Sequence, residues 1–298
     1  MPVTSTIRTW AEMIKLSHSI FALPFALMGA FLAAQHLDAR NWPYPGQLGL
    51  IVVCMVAARS VAMTFNRIVD AAIDARNPRT EGRPIPTGRI TVTAAWTMLA
   101  LAAIAFGVSC LGFHVFYDNT WPVLLSGPVL VYLCGYSLTK RFTKWSHYYL
   151  GLALALAPAA AWIAIHPGSF GYPALALGAA VLFWVAGFDI IYACQDIESD
   201  RRDELHSLPS RVGPAAALWI ARGSHALAIA ALIALGISTG MGLLYAIGVT
   251  LAAILLCVEN ALVRPGDYRR VGVAFFTVNG IVSIVLASSA IADLLIPR

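Results

Sequence analysis

A chain of 298 residues that is 59% hydrophobic, only 12% charged and carries a net charge of +5 is not built as an ordinary soluble domain. Soluble domains carry roughly 25% charged residues, and about half that share leaves too little polar surface to face water. The basic excess does not point to nucleic acid, because the Lys and Arg residues are sorted to one side of a series of apolar stretches rather than gathered in a patch.

In chain order, the first 16 residues mix Arg8, Glu12 and Lys15 with apolar positions and lack a small-residue cleavage site. They read as a short amphipathic helix at a membrane interface rather than a signal peptide. Nine apolar stretches follow, near 17–34, 46–66, 91–112, 121–138, 147–166, 172–192, 213–236, 240–258 and 271–292. Each approaches the ~20 helical residues that cross a bilayer. Counted across these spans, sixteen of the twenty Lys and Arg fall on one side, so the N-terminus and the basic loops are expected to be cytoplasmic. Two cytoplasmic loops, 67–90 and 193–212, are longer and more polar than the rest. The Arg83-Pro-Ile-Pro-Thr-Gly88 stretch in the first suits a cap, since its prolines prevent a helix and its glycine permits a turn. Neither a linker nor a low-complexity segment divides the chain, so 1–298 is expected to be a single domain. The five cysteines stand singly in apolar segments, without zinc-ligand spacing.

Two acid clusters lie where apolar spans end. Asn66, Asp70 and Asp74 are spaced i, i+4, i+8, and Asp189, Tyr192, Asp196 and Asp200 step by three or four residues. On a helix each set stacks along one face, and Arg59, seven residues before Asn66, shares the first face. Carboxylates at the edge of hydrocarbon are costly and mark function. Either cluster alone also reads as a solvated helix end, but two matched clusters on one side suit Mg2+ ions holding a diphosphate.

The NxxxDxxxD pattern of Asn66, Asp70 and Asp74, followed by the DxxxD of Asp196 and Asp200, resembles the UbiA superfamily of intramembrane aromatic prenyltransferases, and within it the 4-hydroxybenzoate polyprenyltransferases. The Tyr136-Ser-Leu-Thr-Lys140-Arg141 segment resembles the YxxxK element of that family, and Asp189–Asp196 extends the likeness. The resemblance implies an all-α membrane protein, a bundle of nine transmembrane helices around a central cavity under a cytoplasmic polar cap. It implies that Asn66, Asp70, Asp74, Asp196 and Asp200 hold Mg2+, and that Tyr136 and Lys140 serve the diphosphate. His206 departs from the pattern, standing where some relatives have lysine.

The chemistry accounts for these residue types. An allylic diphosphate loses pyrophosphate to leave a carbocation-like carbon, and cations must stabilise the charge that grows on the leaving group. Arg76, Arg79, Arg83, Lys140 and Arg141 are candidates for that clamp, with Asp70 and Asp196 at the centre of catalysis. Arg59 is suited to the carboxylate of an aromatic acid, or equally to an internal ion pair with Asp70 or Asp74. Asp189 is suited to take the ring proton, or to pack against a partner. His18, His147 and His225 read as structural, and Glu259 and Asp267 as solvated charges. The expected partners are a polyprenyl diphosphate, 4-hydroxybenzoate and the lipid bilayer, with no nucleic acid and no obligate protein partner. Competing expectations are another aromatic acid acceptor, such as dihydroxynaphthoate on a menaquinone route, and a cation transporter using the same carboxylates.

Overall fold

The structure is a computed structural model that describes residues 3–14, 21–37 and 41–296, with side chains from residue 9 onward. Lys15, His18, Arg40, Arg298 and the beginning of the first expected span lie outside the described residues, as does the side chain of Arg8. The described residues form helices α1 (Val3–Ile14), α2 (Leu23–Ala34), α3 (Pro45–Val69), α4 (Ala71–Asp74), α5 (Val92–Tyr117), α6 (Trp121–Gly135), α7 (Ser146–Ile165), α8 (Tyr172–Ala193), α9 (Ile197–Arg202), α10 (Leu208–Val212), α11 (Pro214–Thr239), α12 (Leu243–Leu262) and α13 (Asn279–Leu295). Short 3-10 turns at Tyr136–Arg141 and Cys194–Asp196 extend α6 and α8, and a π-helical turn, Val273–Val278, leads into α13.

Among the described residues, eight helical segments are long and apolar enough to cross a membrane, and each overlays one of the expected spans. The chain is therefore an all-α, multi-pass membrane protein. Helix is the form these segments must take, because only helices and closed barrels satisfy every backbone polar group within hydrocarbon. Their outward faces are apolar: Ile104, Val108 and Phe116 of α5, Val131 of α6 and Ile237 of α11 are exposed on the chain's own surface, where lipid rather than water suits them. Ends are marked as the sequence allows. Thr91 caps α5 by accepting the Ala94 N–H at 3.2 Å, proline occupies the first turn of α6, α8 and α11, and Gly240 closes α11 with φ +63°.

The helices fall into two compact units, Met1–Ser19 with Gly49–Leu138, and Ile20–Leu48 with Thr139–Arg298. In the first, Ala57 of α3 meets Phe106 and Cys110 of α5, with Val123 and Leu130 of α6 packed against them. The N-terminal helix joins this unit through the first polar loop. Met13 is buried with Ile90 and Ala95, and Glu12 pairs with Arg89 at 3.0 Å.

In the second unit six helices close a ring in the order α2, α7, α8, α11, α12, α13 and back to α2. Small residues set the closeness of two of its seams. A Cβ on Gly29 of α2 would lie 2.6 Å from the Pro158 carbonyl oxygen of α7, and one on Gly151 of α7 would collide with the Leu182 carbonyl of α8. Phe25, Trp184, Leu232, Leu256 and Leu286 line a small apolar void in the ring.

One polar network crosses this ring. The Trp184 Nε1–H donates to Asn279 Oδ1 at 2.6 Å, and the Asn279 amide donates to Glu259 Oε1 at 2.8 Å and to the Ala274 carbonyl at 3.0 Å. The π turn frees that carbonyl, and the asparagine satisfies it. Glu259 is fully buried, which corrects its reading as a solvated charge: proximity to a span's end in sequence did not reveal that α13 folds back over it. Asp267 is the exposed charge expected, paired with Arg269 at 2.9 Å.

Candidate active site

Both acid motifs sit at joints where a long helix gives way to a short one. Asp70 stands between α3 and α4 with φ −96° and ψ 3°, and Asp196 stands before α9 with φ −104° and ψ 5°. These near-identical torsions belong to the sparsely populated bridge region, where active-site residues recur. The i to i+4 stacking survives the first joint, since the Asp70 N–H reaches the Asn66 carbonyl at 3.0 Å and the Asp74 N–H reaches that of Asp70 at 2.8 Å.

In the first unit the acids already have partners. Asn66 donates from Nδ2 to Asp70 Oδ2 at 2.8 Å and accepts from Arg67 Nη1 through Oδ1 at 2.7 Å. Asp74 is buried and held by one nitrogen of Arg83, whose Nη1 lies 2.6 Å from Oδ1 and 2.7 Å from Oδ2. The Thr80 hydroxyl donates to the Asp74 carbonyl at 3.0 Å, which folds the first loop back onto α4. Gly88 takes φ +70°, the left-handed turn expected at the end of the Arg-Pro-Ile-Pro-Thr-Gly stretch. Arg76 and Arg79 are exposed at the same loop. Arg59 and Arg67 both lie within electrostatic reach of the Tyr136 phenol, and Arg67 within reach of Asp70, Asp74 and Arg83 as well. The ion-pair partner of Asp74 is therefore Arg83, where the spacing had also allowed Arg59.

In the second unit, Asp196 and Asp200 are buried. Asp200 Oδ2 is a buried carboxylate oxygen without a hydrogen-bond partner, an acceptor that a cation would satisfy. The second loop is tied into this unit by its backbone. The Leu205 N–H reaches the Asp200 carbonyl at 2.7 Å, and the His206 N–H reaches the Lys140 carbonyl at 2.6 Å, which links the acid motif to the Tyr136–Arg141 turn. Arg201 Nε donates to the Ser210 carbonyl at 3.2 Å, while Arg141 is exposed. Asp189 accepts from His147, with 2.6 Å between Oδ2 and Nδ1, and Tyr192 packs on Phe275 with ring centroids 4.3 Å apart.

Comparison with known proteins decides what this arrangement belongs to. The family model of UbiA prenyltransferases matches residues 22–281. The chain is a member of the UbiA prenyltransferase family. A 4-hydroxybenzoate octaprenyltransferase of Methylococcus capsulatus is 32% identical over 232 residues, 77% of this chain and 76% of that protein. One from Nitrosospira multiformis is 27% identical over 291 residues, 96% of each chain. Among solved structures, a UbiA homolog from Aeropyrum pernix in its apo form has a TM-score of 0.81 at 31% identity, covering 93% of this chain and 98% of that one. A UbiA homolog from Archaeoglobus fulgidus bound to GPP and Mg2+ has a TM-score of 0.69 at 18% identity, covering 97% and 100%, and so shares the fold.

This UbiA prenyltransferase contains features that spacing did not give. Arg67 follows Asn66 directly and so points off the acid face, yet its long side chain folds back to the Asn66 oxygen. His147 is buried and bonded on both ring nitrogens, as a structural histidine should be, but its partner is a candidate site residue. Nothing in the sequence spacing pairs positions 42 residues apart. His225 hydrogen-bonds Asn260, with 2.7 Å between Nδ1 and Nδ2, and the Arg222 guanidinium lies over Trp219, 4.5 Å from the ring centroid. Among the described residues, no three His, Cys, Asp or Glu side chains form a ready cation cage. The two motifs offer carboxylates and an amide, hard oxygens of the kind that suit Mg2+ together with substrate phosphates and water.

Proposed function

We propose that this prenyltransferase joins a polyprenyl group, taken from its diphosphate, to 4-hydroxybenzoate, ortho to the hydroxyl, on a route to a ubiquinone-type quinone. The observation that carries this reading is the pair of acid motifs at matched helix joints, in a chain whose relatives are 4-hydroxybenzoate octaprenyltransferases. The family match runs through both compact units, which supports treating residues 1–298 as one catalytic domain.

Asp70 and Asp74, with Asn66, and Asp196 and Asp200 would hold Mg2+ against the diphosphate; when bound, the cation supplies Lewis-acid stabilisation of the departing pyrophosphate. The unpartnered oxygen of Asp200 and the hard-oxygen donor set support Mg2+ as the group that fits. Arg76, Arg79, Lys140 and Arg141 neutralise the leaving charge from the loops, joined by Arg83 once it exchanges Asp74 for phosphate. Tyr136 orients the diphosphate. Arg59 binds the acceptor's carboxylate, and Asp189 takes the ring proton after the new carbon–carbon bond forms. The basic loops orient the N-terminus and both motifs toward the cytoplasm of the cell's inner membrane, and the isoprenoid tail lies among apolar helix faces.

The test is purified protein with Mg2+, prenyl diphosphates of several lengths and a panel of aromatic acids, read by product mass. Prenylated 4-hydroxybenzoate that disappears on chelation and returns with Mg2+ is the expected outcome. A product formed only from a dihydroxynaphthoate would move the enzyme to a menaquinone route, and full activity in metal-free buffer would remove the mechanism.

A further inference from the structure

A single buried imidazole links three parts of the second unit. His147, at the start of α7, is fully buried. Its Nδ1 lies 2.6 Å from Asp189 Oδ2 in α8, and its Nε2 lies 3.2 Å from the Leu208 backbone nitrogen at the start of α10. A backbone N–H only donates, so Nε2 must be the accepting nitrogen, and the ring proton is on Nδ1. The histidine therefore donates to Asp189 in one fixed tautomer. Leu208 is held in turn, for Ser207 caps α10 by accepting the Ser210 N–H and the neighbouring His206 N–H is bonded to Lys140. Asp189 differs from its partner in exposure: the imidazole is sealed, whereas 19% of the aspartate side chain is open.

We propose that His147 is a positioning residue for Asp189, rather than a packing residue as its lone place in the sequence suggested. This inference rests on the reading of Asp189 as the group that receives the ring proton. In that step the ring C–H bond breaks, its electron pair restores the aromatic ring, and the proton forms an O–H bond on the Asp189 carboxylate. His147 fixes the carboxylate's rotamer by a hydrogen bond to Oδ2, and the partly open side chain of Asp189 is thereby anchored on a sealed imidazole. The Leu208 amide acts one step further out. By locking the tautomer it makes the second loop, which also carries the link to the Lys140 turn, a determinant of how the base is presented.

Two amide substitutions separate the arms. The side-chain amide of asparagine reaches as far as Nδ1, so His147→Asn keeps a donor for Asp189 and loses the acceptor for Leu208. Glutamine reaches as far as Nε2, so His147→Gln keeps an acceptor for Leu208 and withdraws the donor from Asp189. The assay is steady-state transfer to 4-hydroxybenzoate, compared with acceptor deuterated at the ring position attacked. His147→Gln should lose about a hundredfold in kcat with KM for the prenyl diphosphate unchanged, since a general base contributes on that scale. Its ring-deuterium isotope effect should rise clearly above unity as proton removal becomes limiting. His147→Asn should retain most of kcat and the wild-type isotope effect while melting at a lower temperature. Equal kcat losses in both variants without any change in isotope effect would overturn the inference and leave the transfer reaction standing. A wild-type protein that prenylates no aromatic acid would overturn the reaction and the inference together.

Discussion

Replacing Arg83 with alanine strips a buried carboxylate of its cation, and the consequence is calculable. Arg83 Nη1 touches both Asp74 oxygens, at 2.6 and 2.7 Å, and the Asp74 side chain is 7% exposed. Removing one member of a buried ion pair costs about 3–5 kcal/mol, because the charge left behind has neither water nor partner. The Arg83 side chain is 21% exposed, so solvent weakens this particular pair, and a loss of about 2 kcal/mol is the reasonable expectation. In a chain of this size that is a fall of roughly 5 °C in melting temperature. Both contacts come from one nitrogen, so Arg83→Lys, with a single ammonium, should recover most of the loss. Mg2+ should recover it too, since a cation present at about 100 times its Kd stabilises the folded state by about 2.7 kcal/mol. The assay is thermal unfolding of the detergent-solubilised protein, wild type and both variants, in EDTA and in Mg2+. If Arg83→Ala melts with the wild type in EDTA, or if lysine does no better than alanine, the contact is not what balances Asp74.

Asp70→Ala and Asp196→Ala should each lower kcat by about a hundredfold or more with normal expression and folding, because each removes a hard oxygen ligand from its motif; two active variants would return the motifs to ordinary helix ends. Arg59→Ala should raise KM for the aromatic acid far more than KM for the prenyl diphosphate, and lost thermal stability with unchanged kinetics would instead mark an internal ion pair. Gly151→Ala should destabilise by about 1–3 kcal/mol, since its Cβ would meet the Leu182 carbonyl across the α7–α8 seam. Gly178→Ala, in α8 with open space around it, should be neutral or stabilising; thermal unfolding of the two side by side checks the packing.

Much of the architecture was legible because membrane helices announce themselves by length and hydropathy. Span 121–138, for example, was recovered as Trp121–Gly135 with a 3-10 extension. The acid motifs were legible because fourfold spacing maps directly onto a helix face. Two things were not. Glu259 looked like a helix-end charge, because its partner Asn279 arrives from another helix after a π turn that no spacing rule encodes. His147 and Arg83 were placed among structural and loop residues, since pairing across 42 and 9 positions depends on how the chain folds back.

If both motifs hold Mg2+ as proposed, the paired torsions at Asp70 and Asp196 bear on which ion the enzyme would accept. On an uninterrupted helix, residues four apart hold their Cβ atoms about 5–6 Å from each other, and the bite of two carboxylates is then a constant of helical geometry. Here the first carboxylate of each motif stands on the joint and the second on the short segment beyond it, α4 for Asp74 and α9 for Asp200. A few degrees of rotation about one backbone bond widens or narrows the bite while the long span stays in register with the lipid. Mg2+ demands oxygens at about 2.0–2.1 Å in near-octahedral order, whereas Ca2+ tolerates about 2.3–2.6 Å and looser geometry. On that reading, discrimination by ionic radius would be a property of two joint torsions, open to tuning by whatever residues brace α4 and α9, with the carboxylates themselves unchanged.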